Sequence, residues 1–65
     1  MLHNFDLVAL AVTLPEYDLL PGALGTVLEV YTEPRIAYNV EFGASDGGTM
    51  PLVVLDPEQV HKLGR

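Results

Sequence analysis

Four clusters of turn-forming residues cut this chain into short pieces: Pro15–Gly22, Thr32–Arg35, Gly43–Gly48 and Asp56–Glu58. The runs between them are short and rich in Val, Leu, Tyr and Phe. No run carries an apolar stripe of helical period long enough to be a helix, so the punctuation predicts a small all-β domain. The chain has 65 residues and no cysteine, so no disulfide or thiolate metal site can staple it. A single domain over residues 1–65 must be held by its core, and 49% of the residues are hydrophobic. That surplus on so short a chain also points to association with another chain.

The runs divide into five strands. Asp6–Val12 is the first, with Val8, Leu10 and Val12 facing inward and Leu7, Ala9 and Ala11 outward. Both of its faces are apolar, which predicts cover from another element or chain. A ten-residue connection, Thr13–Gly22, follows, with Leu19 and Leu20 expected to tuck over the barrel end. Leu24–Tyr31 is the second strand. Strict alternation would put Glu29 on the same face as Val27, whereas Val27 and Val30 have the character of buried positions, so a bulge is expected near Leu28–Glu29. Ile36–Phe42 alternates cleanly, with Ile36, Tyr38, Val40 and Phe42 on one face. The intervening TEPR is a hairpin turn, and Asp46-Gly47 marks the next one. Thr49–Leu55 is the fourth strand. Asp56-Pro57-Glu58-Gln59 is a single helical turn with Asp56 at the N-cap and Pro57 at the first position. Val60–Leu63 is the closing strand. Five short strands with a helical turn before the last predict a five-stranded SH3-like barrel, whose closure removes exposed edges.

Several residues combine into a recognisable outline. Asp6-x-Val8-x-Leu10, Leu14-Pro15-Glu16, Leu20-Pro21-Gly22-x-x-Gly25-Thr26-Val27 and Tyr38-x-Val40-Glu41-Phe42 follow one another along the chain. Together they resemble the short bacterial proteins of domain of unknown function 4926, over about residues 5–63. More loosely, the chain is similar to the KOW-type SH3-like barrels of ribosomal and transcription-elongation proteins, and to the barrel of the nitrile hydratase beta subunit. The first resemblance implies no biochemical activity. Its members stand beside small toxin-like genes, which implies an inhibitory role toward a partner protein.

The Gly22-x-x-Gly25 spacing raises the possibility of a phosphate loop. Such a loop needs a helix behind it to present N–H groups, and here the β-branched run Thr26–Val30 follows with no cation nearby. The spacing therefore reads as a corner: a turn at Pro21-Gly22, then a site at Gly25 where neighbouring backbone comes close or the torsion excludes a side chain. His3 and His61 are the only histidines; His3 is expected near a frayed end and His61 on an exposed strand, and they supply no metal or acid–base site. Glu16, Tyr17, Asp18 and Leu19 lie on the longest loop. They are the candidate partner-binding residues, a Tyr anchor ringed by charge, or else Tyr17 lids the barrel while the carboxylates face water. Tyr31 and Tyr38 could stack bases, but without nearby cations cross-strand packing is the expected role.

Nine acidic residues against three basic ones, Arg35, Lys62 and Arg65, give a net charge of −6. No basic stripe exists to follow a phosphate backbone, and anionic membranes would repel the chain. The start, MLHNFDLVAL, lacks the features of a secretory signal, and no apolar run reaches the ~20 residues of a membrane span, so a cytoplasmic location is expected. No catalytic arrangement, cofactor or metal site is expected. The expected role is a non-catalytic protein-interaction module: an antitoxin- or immunity-type inhibitor, or an accessory subunit. The alternatives are a KOW-like RNA-associated module and a self-associating structural protein.

Overall fold

The computed structural model describes residues 1–43 and 50–64. Five strands form one antiparallel sheet: β1 Leu7–Leu10, β2 Leu24–Tyr31, β3 Ala37–Phe42, β4 Leu52–Leu55 and β5 Val60–Lys62, in the order β4-β3-β2-β1-β5. Two 3-10 turns, Pro15–Tyr17 and Pro57–Gln59, complete the described elements. The second lies before the last strand, as the Asp-Pro-Glu-Gln sequence predicts. Proline fits its first position because it has no N–H to lose there. The Asp56 N–H donates to Gln59 Oε1 at 2.8 Å, and the Gln59 N–H donates back to the Asp56 carbonyl at 3.0 Å.

The two edge strands are consecutive in sequence. A flat five-stranded sheet would set its edges about 19 Å apart, four strand spacings. Leu55 and Val60 are joined by a segment folded into a 3-10 turn, far short of the ~17 Å that five extended residues could span. The sheet must therefore curl. Val53 and Leu55 of β4 and Val60 of β5 accordingly join Val8, Leu10, Val27, Tyr38, Val40 and Phe42 in one core. Curling stops short of closure: the edges β4 and β5 are not hydrogen-bonded to each other. The expected barrel closure is thus not formed. The Pro57–Gln59 turn carries the chain across the gap, and β5 pairs only with β1.

β2 has the predicted bounds and the predicted bulge. Val27 pairs with Val40, and the next pair is Glu29 with Asn39, so Leu28 is the extra residue. The slip rephases the strand. Val27 stays in the core, Glu29 turns out to solvent, and Val30 returns to the inner face opposite Tyr38. An uninterrupted alternation would have aimed a carboxylate inward, at a cost of several kcal/mol.

The other strands are shorter than their sequence runs. β1 ends at Leu10, because the chain then turns away and the Ala11 N–H donates to the Gln59 carbonyl. Val12 is half-buried and Ala9 is buried, whereas Leu7 and Ala11 are exposed. β3 starts at Ala37, which leaves Ile36 exposed instead of inward. β4 starts at Leu52, and β5 ends at Lys62. The expected turn at Asp46-Gly47 and the expected strand start at Thr49 lie outside the described residues. The N-terminal stretch is not frayed. Leu2 packs on the core and its N–H donates to the Tyr38 hydroxyl at 3.2 Å; the Phe5 N–H donates to the Val27 carbonyl, and the Val27 N–H to the Asp6 carbonyl.

Candidate interaction surface

The acidic loop is rigidly built. Leu14 and Leu19 exchange backbone hydrogen bonds of 2.9 and 3.1 Å across a single bridge, with the 3-10 turn held between them. The Asp18 N–H closes the turn onto the Pro15 carbonyl, with Asp18 in the left-handed region at φ 57°. Asp tolerates that conformation better than most residues. Leu14 is buried and Leu19 packs on the core. The loop is thus anchored from within, while Glu16, Tyr17 and Asp18 face water, Tyr17 at 42% exposure. Of the four candidate residues, Leu19 belongs to the anchor and the other three to the surface. Leu20 does not tuck over the core as expected and is exposed.

A larger apolar surface lies on the outer face of the sheet. Register puts Leu7, Thr26, Glu41 and Leu52 in one row across β1, β2, β3 and β4. Leu24 lies opposite Ala9 on that same face, and Val54 lies opposite Asn39. Leu7, Leu24, Leu52 and Val54 are 61%, 65%, 53% and 60% exposed, so four large aliphatic side chains stand in water on a face that the fold itself does not need. Isolated exposed leucines are ordinary; here four large aliphatic side chains share one sheet face. Of these, the outward aim of Leu7 was legible in the strand's parity. Leu24, Leu52 and Val54 were missed; the available signal was that LVVL is apolar at both parities.

The charges are distributed unevenly. The Arg35 guanidinium lies 3.0 Å from Asp56 Oδ1, and Lys62 Nζ lies 3.9 Å from Asp6 Oδ2. Both described cations are therefore already set against carboxylates. Glu29 and Glu41 on the outer face, and Glu16 and Asp18 on the loop, have no ion-pair partner among the described residues. This surface invites a cation.

The remaining sequence candidates fall into structural roles. A methyl group at Gly25 would sit 2.7 Å from Val40 Cγ1 and 3.0 Å from the Phe42 ring. The expected crowding is real, but the obstacle is core side chains rather than backbone, and the torsion is not the reason. Gly22 is the reverse case, with φ +94° and open space around it. Each glycine of the Gly22-x-x-Gly25 spacing serves the corner. Tyr38 is buried and Tyr31 half-buried on different faces of the sheet, so they do not form a stacking platform. His3 lies 3.8 Å from Asp6, His61 is exposed on β5, and no group of three metal-ligating side chains occurs among the described residues. No helix of the described residues is long and apolar enough to cross a membrane.

No curated protein and no solved structure matches the chain. A family model matches it from residue 4 to residue 62, across all five strands and both turns, and the chain belongs to that family, Domain of unknown function (DUF4926).

Proposed function

We propose that this chain is a non-catalytic protein-interaction module whose outer sheet face covers a partner surface that is basic at its centre and apolar on either side. The observation that carries this reading is the gathering of exposed Leu7, Leu24, Leu52 and Val54 on one face beside the unpaired Glu29 and Glu41. Apolar contact on either side supplies the affinity, and the carboxylates of Glu29 and Glu41 between them select and orient a cation. Glu16, Tyr17 and Asp18 extend the contact from the loop, with Tyr17 as a half-exposed anchor on a rigid base. A module of this kind acts by occlusion, as an inhibitor of antitoxin or immunity type or an accessory subunit does.

The test is a photo-crosslinking residue placed at Leu24 or Tyr17 and activated in the cells that make the protein. The expected result is one heterologous protein joined at Leu24, with binding of that purified protein lost in Leu24→Lys and weakened by added salt. Adducts only with other copies of this chain, or none at all, would overturn the reading.

A further inference from the structure

The edges of the curled sheet are not equivalent, and among the described residues one of them is unguarded. Antiparallel ladders alternate between residues that exchange hydrogen bonds and residues that do not. The Phe42 N–H donates to the Pro51 carbonyl at 3.1 Å, which fixes the phase of the β3–β4 ladder. By that phase Val53 and Leu55 bond to β3, opposite Val40 and Tyr38, while the N–H and C=O groups of Leu52 and Val54 point away from the sheet. Their side chains stand on the outer face, more than half exposed.

Proteins usually protect such an edge with charge, a bulge or a proline. β5 has Lys62 at its edge. β4 has no such charge: Met50–Leu55 is uncharged throughout. Pro51 gives no protection either, because its backbone faces β3, not the open side.

We infer that the β4 edge is the pairing site for β4 of a second copy of this chain. A two-fold antiparallel pairing sets each Leu52 opposite Val54 of the other copy, and these residues exchange both backbone hydrogen bonds. The sheet then runs continuously through both molecules, and the exposed Leu52 and Val54 side chains pack across the axis on the outer face. The contact is self-complementary, as a two-fold interface must be. It is also the approach that a charge of −6 per chain permits. The two Glu41 side chains of the outer face are separated by three strand spacings, about 14 Å at ~4.8 Å per strand. That exceeds the screening length of about 8 Å at physiological salt. Stacking of two outer faces would instead bring Glu29 and Glu41 of both copies together.

This inference shares Leu52 and Val54 with the proposed partner surface but rests on the backbone edge of β4, and either can fail alone. The test is sedimentation equilibrium over a concentration series, with amide hydrogen exchange read at Leu52 and Val54. The expected result is a monomer–dimer equilibrium in which both amides become protected as the dimer forms. Val54→Lys, which places a charge at the edge, is expected to weaken the dimer roughly tenfold or more. Leu24→Lys, on a central strand, is expected to leave the dimer unchanged. Leu52→Lys serves as the second edge variant should Val54→Lys not fold. A monomer at every concentration overturns the inference, as does a dimer that ignores the edge charge or leaves both amides exchanging freely.

Discussion

The two faces of the sheet make opposite use of the same residue types. On the inner face Val8, Val27, Val40 and Phe42 are fully buried, and the packing is so tight that Gly25 has no room for one methyl group. On the outer face, Leu24 is the residue immediately before Gly25, yet it is mostly in water. One step along β2 passes from a site where nothing can be added to one where a large apolar group has nothing to touch. A 65-residue chain has little surface to spare. The difference separates residues that hold the fold from residues that the fold leaves in water, so inner and outer substitutions should be read by different assays.

The largest expected effect is on the inner side. Gly25→Val must displace Val40 or Phe42 in a close-packed core and is expected to cost about 2–3 kcal/mol. For a domain this size that is a melting temperature lower by roughly 10–20 °C. A thermal melt checks it, and a melt unchanged from wild type would break the claim that the inner face is full. Gly22→Ala comes next. The site is spacious, so only the positive φ is violated, and the expected loss is about 1 kcal/mol, or roughly 5 °C. Gly22→Asn should lose less, because Asn tolerates positive φ, and that ranking sharpens the division between a glycine needed for space and one needed for torsion. Leu24→Lys should be the smallest, within about 0.5 kcal/mol of wild type in the same melt. A large loss there would show that the outer leucines serve the fold after all.

How much was legible depends on whether the information was local. The bounds of β2, its bulge and the Asp56–Gln59 turn were readable because each is decided by neighbours in sequence: the mismatch of Val27, Glu29 and Val30, and a proline one residue beyond an Asp. The family outline was readable for the same reason. The end of β1 was not, since Ala11 leaves the strand for a distant partner, the Gln59 carbonyl. Closure of the barrel was misjudged because strand order can be guessed from five runs and a turn, but whether two edges meet depends on how far the sheet curls. The two loop carboxylates were readable as surface residues because they are charged, whereas for Tyr17 the sequence left a surface anchor and a lid over the barrel equally open. The outer leucines were overlooked because parity identifies the two sides of a strand without saying which side another element will cover.

The bulge at Leu28 has a consequence for heredity. Before it, the residues of β2 that face the core carry odd numbers, Gly25 and Val27; after it the inward residue is Val30. The strand thus holds two reading frames of inside and outside, joined at one position. Loss of that single codon would leave the composition almost untouched and every other side chain intact. It would also merge the two frames into one unbroken alternation, with Val27 and Val30 inward and Glu29 between them outward, because Val27 and Glu29 already pair with the consecutive residues Val40 and Asn39. Loss of the middle leucine therefore keeps its neighbours on their faces, whereas loss of a paired residue such as Thr26 would put Gly25 and Val27 on opposite faces of the strand.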